Sequence, residues 1–251
     1  EEAKRDGLED GPEPIHIYFH VLRHPTKGTF LIDTGVERAL ASDPERAAIR
    51  GVVAKAMNAE KLHVRHDTRS FVESEGGAIA GVLFTHLHLD HVSGMPDIPK
   101  GTPLFTGPGE AAARSGLNLF VRGTTDRELE GHVPLAELPF QADASGRFAG
   151  VLDLFGDESV WALWVPGHTP GSVAYIARTP DGPVLFAGDT CHTSWGWEHG
   201  VEPGDFTADQ QENASSLRAL RELAARHPKL DVRLGHQALV QAEGPTSLAH
   251  R

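Results

Sequence analysis

Apolar residues Ile15, Ile17, Phe19 and Val21 alternate with His16, Tyr18, His20 and Leu22, and this period of two predicts a half-buried strand. Pro25-Thr26-Lys27-Gly28 is a turn, and Thr29–Ile32 predicts the returning strand. Asp43 before Pro44 pairs an N-cap with a first-turn proline and predicts a helix to about Asn58. Short helices are predicted at 67–75 and 110–114, and strands at 80–84 and 103–106. Residues 115–150 carry mixed signals and read as a long excursion. Beyond them the pattern is strand-rich, at 151–155, 159–165, 172–178 and 183–187, with Pro180-Asp181-Gly182 as the last turn. Thr207-Ala208-Asp209-Gln210 has capping-box spacing and opens the longest predicted helix, to about His227. Leu217, Leu220, Leu223 and Ala224 share one face of it, and Pro228 ends it.

The order strand, helix, strand thus occurs twice, which fits an αββα sandwich of two mixed β-sheets with helices on the outer faces. Residues 1–14 are polar and read as a loose arm, and 15–251 as one domain. Hydrophobic content of 39% and charged content of 23% are ordinary for a globular protein. There are 23 Lys and Arg against 35 Asp and Glu, a formal charge of −12, which argues against a nucleic-acid-binding surface. No run of roughly 18 apolar residues predicts a transmembrane helix. The chain begins at Glu1 with no signal peptide in view, so a cytoplasmic protein and one exported to the periplasm after signal removal both remain open. Cys191 is the single cysteine, so no internal disulfide forms; it reads as a small buried residue.

The chemistry concentrates in Thr85-His86-Leu87-His88-Leu89-Asp90-His91, which follows the apolar run 80–84. Imidazole and carboxylate are the usual ligands of zinc and similar borderline ions. In an extended segment His86, His88 and Asp90 share a face, and a bend brings His91 round to them. Four candidate ligands is one more than a single catalytic metal needs, which hints at two metals. His168 lies on the Gly/Pro-rich turn Pro166–Ser172, Asp189 follows the run 184–187, and His236 follows Val232–Leu234. Each sits beside glycine at the end of a strand-like stretch, where open α/β architectures build sites.

These motifs, in this order, resemble the metallo-β-lactamase-fold hydrolase superfamily, from Leu31-Ile32-Asp33-Thr34-Gly35 through His236. The resemblance implies one metal on His86, His88 and His168, a second on Asp90, His91 and His236, and Asp189 bridging them together with a hydroxide. It implies that Asp33 supports the site from behind without binding metal. Two zinc ions per chain are expected, although His/Asp sites also accept iron, manganese and cobalt. His88 stands where the diiron oxygen-reducing relatives carry glutamate, which favours hydrolysis over redox chemistry. The implied reaction is attack of the bridging hydroxide on a carbonyl, oriented by Asp90 and Asp189.

Within the superfamily the look is closest to the N-acyl-homoserine lactone lactonases, through Ala187-Gly188-Asp189-Thr190-Cys191-His192 and Gly200-Val201-Glu202-Pro203-Gly204. Those enzymes usually carry tyrosine three residues after the bridging aspartate; here that position is His192, a candidate hydrogen-bond or proton donor. The expected substrate is a small lactone or similar ester. A glyoxalase-II-type thioesterase shares all seven ligands but normally carries a helical C-terminal region, and only residues 237–251 follow His236. A β-lactamase usually lacks the bridging aspartate. A metal-stabilised binding protein is the non-enzyme alternative, although a structural metal needs only four ligands. Trp195 and Trp197 read equally as pocket wall or packing, Tyr175 as packing, and His227 as a helix-end residue; a homodimer is left open.

Overall fold

The β-branched and aromatic runs pair first with their nearest neighbours. In the computed structural model, which describes residues 15–113 and 116–239 (116–120 by backbone alone), β1 (His20–His24) and β2 (Gly28–Ile32) form an antiparallel hairpin. Strands β3 (Gly81–Leu83), β4 (Leu104–Thr106) and β5 (Leu135–Glu137) then add in parallel, in the order β1-β2-β3-β4-β5. Parallel neighbours require crossovers. Helices α1 (Ala39–Ser42), α2 (Gly51–Ala56) and α3 (Thr68–Ser74) lie in the first, α4 (Leu89–Val92) in the second and α5 (Gly116–Glu128) in the third. In the second sheet β6 (Gly150–Asp153), β7 (Val160–Trp164), β8 (Val173–Thr179) and β9 (Gly182–Phe186) run as an antiparallel meander. After α6 (Ser194–His199) and α7 (Gln210–Arg226), β10 (Asp231–Arg233) pairs parallel to β9.

Strand residues alternate between two cores, as the pleat demands. Phe30, Ile32 and Leu83 of one sheet meet Ala162, Tyr175, Val184 and Phe186 of the other. Their neighbours face outward: Leu31 and Val82 pack with Val72, Val92 and Met95, and Leu163 and Leu185 pack with Leu217 and Leu220 of α7. This is the αββα sandwich of two mixed sheets. Among the described residues no helix is long and apolar enough to cross a membrane. The polar arm expected at 1–14 lies outside the described residues.

Several boundaries differ from the sequence reading. The first strand begins at His20; residues 15–19 instead bond to loops, with His16 N–H donating to His236 O and Gly35 N–H to Tyr18 O. Asp43 follows α1 and does not open a helix. Arg50 is extended and Gly51 has φ +64°, so the chain turns before α2; the Glu37 carboxylate holds that turn by accepting Ala48 N–H at 2.6 Å. The segment 115–150 is not a bare excursion, since it supplies α5 and edge strand β5; Gly123, Thr124 and Thr125 are weak helix formers that hide α5 from a sequence reading. In place of the helix expected at 110–114, the described residues form a 3₁₀ turn, Glu110–Ala112. Asp209, not Thr207, caps α7, accepting Glu212 N–H at 2.9 Å.

The sheets are tied together beside the histidine-rich loop. Val173 N–H of β8 donates to Thr85 O at 2.8 Å, and the fully buried Tyr175 hydroxyl donates to Phe84 O at 2.8 Å. Tyr175→Phe removes the second tie and leaves a buried carbonyl short of a donor. It should cost about 1–2 kcal/mol, read as a lower urea midpoint with an unchanged m-value.

Candidate metal centre

Beyond β3 the chain stays extended through His88 (φ −71°, ψ 155°), then turns into α4. That bend carries Asp90 and His91 round beside His86. His168 sits on the turn between β7 and β8, Asp189 on a 3₁₀ turn directly after β9, and His236 after β10. Four separate segments, each following a strand, therefore deliver seven side chains to one end of the seam between the sheets.

They form two overlapping groups, His86–His88–His168–Asp189 and Asp90–His91–Asp189–His236, each with its donor atoms within 4.8 Å of one another. In the first, His168 Nε2 lies 3.0 Å from His88 Nδ1 and 3.5 Å from Asp189 Oδ2, and His86 Nε2 lies 3.8 Å from that oxygen. In the second, His236 Nε2 lies 3.2 Å from Asp90 Oδ2 and 3.0 Å from Asp189 Oδ2. His91 Nε2 is 3.3 Å from Asp189 Oδ1. Three inward atoms, His86 Nε2, His91 Nε2 and Asp189 Oδ1, are buried with no hydrogen-bond partner. Buried polar atoms are rarely left so. Converging unpaired nitrogens and a shared carboxylate suit two borderline divalent ions.

The profile of the metallo-beta-lactamase superfamily matches residues 11–236. The chain belongs to the metallo-β-lactamase superfamily. It is 27% identical over 218 residues to an N-acyl homoserine lactonase AttM of Azorhizobium caulinodans, covering 84% of this chain and 78% of that protein. It is 30% identical over 175 residues to a gamma-lactamase MBL2 of Gibberella moniliformis, covering 64% and 70%. Among solved structures, a quorum-quenching N-acyl homoserine lactone lactonase superposes with a TM-score of 0.66 at 20% identity, covering 92% of this chain and 84% of that one. That likeness fixes the fold.

The seven residues that the resemblance names thus come together in two groups that could hold metal ions. His192 comes to the centre too, its Nε2 2.9 Å from Asp189 Oδ2, with its side chain 26% exposed. Cys191 is buried, its thiol facing Thr193 O and pushed up to about 12 by burial, as fits packing. Trp197 packs on the α7 core, while Trp195 stacks on His199.

The outer nitrogens of four ligands are all engaged, and their partners dictate the tautomers. Asp33 Oδ2 accepts from His91 Nδ1 at 2.8 Å. Thr85 Oγ1 donates to the same oxygen at 2.8 Å and so accepts from His86 Nδ1 at 3.2 Å. Thr207 Oγ1 donates to Pro203 O and accepts from His168 Nδ1 at 3.2 Å. His236 Nδ1 donates to His16 O at 2.9 Å. With the imidazole neutral, each Nε2 would keep its lone pair facing inward, free for a cation. Asn213 binds two ligand loops at once, accepting His168 N–H and donating to Thr190 O. Glu110 likewise bonds to two of these loops. Sequence reading missed Thr85, Thr207, Asn213 and Glu110 as supporting residues; only Thr85, which abuts the motif, carried a local signal.

The charges divide unevenly. Burial lowers His86 and His88, and neighbouring imidazoles add to it; burial brings His168 down to about 3. Burial also opposes charge on His91 and His236, but Asp189 and the nearby carboxylates outweigh it, holding His91 well above the histidine range and His236 at about 9. Burial alone would raise Asp189; the facing histidines His91, His236 and His192 hold it well below the carboxylate range. Protons therefore occupy the Asp90–His91–His236 end, where a cation would displace them.

Asp33 adopts φ +55°, a conformation that asparagine tolerates as well. Asp33→Asn should keep the backbone while removing the acceptor charge behind His91. Zinc affinity should fall about 10- to 100-fold, measured by chelator competition.

Proposed function

We propose that this chain is a dinuclear zinc hydrolase that opens lactones or similar carboxylic esters. The observation that carries this reading is the pair of four-donor groups sharing Asp189. A structural zinc site closes with four ligands; two groups joined through one carboxylate, with the part-exposed His192 at their edge, suit catalysis better. His86, His88 and His168 would hold one ion, Asp90, His91 and His236 the other, and Asp189 both. When bound, such a pair turns water into a nucleophilic hydroxide near neutral pH and polarises the scissile carbonyl.

The chain's own groups do the rest. Asp90 and Asp189, among the residues that would hold the ions, would also accept a hydrogen bond from the attacking water and orient it towards the carbonyl carbon. His192, its Nε2 beside Asp189 and its side chain part-exposed, would donate a proton to the leaving alkoxide as the ring opens. A small hollow touches Asp90, His91 and His236, and Ile17 on its wall also lines a small apolar hollow with Val36, Leu40, Ile49, Met57 and Leu62. The apolar side chains around the second hollow would suit an aliphatic acyl group. Similarity to N-acyl homoserine lactonases supports the lactone; similarity to a gamma-lactamase favours a five-membered lactam as the second reading.

The zinc-loaded protein should hydrolyse at least one acyl-homoserine lactone with kcat/KM of about 10⁴ M⁻¹s⁻¹ or more. It should be assayed beside γ- and δ-lactones, γ-lactams, aryl esters and S-lactoylglutathione. Turnover of the lactam or thioester alone would replace the lactone reading. Asp189→Ala should abolish turnover and lower metal content from two ions to one; wild-type turnover in that variant sinks the dinuclear mechanism. His192→Ala should lower kcat about 10²-fold with both metals retained, and unchanged kinetics would remove His192 from the reaction.

A further inference from the structure

Glu110 is buried, 3% exposed, on the 3₁₀ turn after β4, and no sequence motif includes it. Its Oε1 accepts Leu87 N–H at 2.9 Å, and Leu87 lies between His86 and His88. Its Oε2 accepts Gly171 N–H at 2.9 Å, three residues beyond His168. The side chain of Thr169, next to His168, is a third donor to the same carboxylate. The approach is close by construction: a Cβ on Gly171 would fall 2.5 Å from Glu110 Cβ. One carboxylate thus joins the two loops that carry the three-histidine group. Its hydrogen bonds go to those loops and to none of Asp90, His91, His236 or Asp189. Asp33 takes the complementary part, receiving the Nδ1–H of His91.

We propose that Glu110 is a positioning residue for the His86–His88–His168 group alone, setting the affinity of that position for a divalent cation and leaving the Asp90–His91–His236 position unaffected. This rests on the two-metal reading above. The physical reason is leverage. Leu87 N–H belongs to the peptide that joins His86 to Leu87, and His88 follows one peptide later, so a carboxylate that fixes it restrains the backbone of both histidines. Gly171 and Thr169 do the same for His168. Two loops that lie on opposite sides of Glu110 in sequence, 23 residues before it and 61 after it, are locked by one group. A supporting group that orients ligands in this way typically changes metal affinity 10- to 100-fold.

The test is titration of the metal-free protein with Co²⁺, following its visible absorption and competing with a chelator. Glu110→Gln keeps the shape but turns an amide N–H₂ towards one of the two backbone donors. One of the two affinities should fall 10- to 100-fold with an altered cobalt spectrum, and the other should stay within about twofold. The weakened position should be the one that His168→Ala abolishes. Gly171→Ala, which pushes Glu110 off its loop without changing its charge, should reproduce the selective loss and covers the case in which Glu110→Gln fails to fold. Two affinities that both stay within twofold, or that fall in parallel with the melting temperature of the metal-free protein, overturn the proposal. If the wild type binds a single cobalt, the dinuclear reading fails instead; Glu110 then keeps its role only if that one affinity falls in both variants and is lost in His168→Ala.

Discussion

Unpaired donor atoms repel one another when they are buried together, and five imidazoles with two carboxylates converge here in a space where few of them are hydrogen-bonded inward. In water such groups would turn apart. Here each is held by what lies behind it: Asp33 and Thr85 behind His91 and His86, Thr207 behind His168, and the His16 carbonyl behind His236. The inward lone pairs exist because the outward N–H groups are already committed. This is the arrangement a cation needs, prepared before the cation arrives.

The two sheets make that preparation affordable. The segments that carry these side chains each follow a strand, which fixes the backbone at their start by a ladder of hydrogen bonds and a fully buried apolar residue such as Leu83 or Leu185. The remaining freedom lies in the loops, and a second set of contacts removes it. Asn213, at the start of α7, joins the His168 loop to the Asp189 loop, and Glu110 joins the His168 loop to the His86–His88 loop. Tyr175 and Val173 join the sheets beneath the same loop. Thus α7 is more than a cover for the second sheet: its first turn reaches the site.

Much of this was legible in the sequence because metal ligation uses scarce residue types at local spacings. His86, His88, Asp90 and His91 are near neighbours, and His168, Asp189 and His236 each stand beside glycine after an apolar run. The strand runs were legible too, because burial on two faces imposes a pattern of apolar residues. What escaped was set by tertiary contact. The break between α1 and α2 depends on Glu37 reaching Ala48, and α5 forms despite Gly123 and two threonines. Thr207 has the spacing of a helix cap, yet its hydroxyl is engaged by Pro203 and His168, and Asp209 caps instead. Glutamate at position 110 has nothing nearby in sequence to mark it, since its partners are Leu87 and Gly171.

The same division explains where tolerance to substitution should lie. A ligand replaced by another ligand type keeps a metal, if a different one, because the lone pair still points inward. A supporting residue replaced by a neighbour of equal size keeps the fold but releases the direction of the ligand. The His236 tautomer illustrates the extreme: it is fixed by a backbone carbonyl, His16 O, which no side-chain substitution can remove. His168 depends on a hydroxyl, and His91 on a carboxylate. The Asp90–His91–His236 end, rich in carboxylates, holds protonated histidines without metal, whereas the three-histidine end is neutral. The two ends thus differ in the charge around their histidines and in what lies behind them: a carboxylate, Asp33, behind His91 at one, and a strap, Glu110, across the loops of the other.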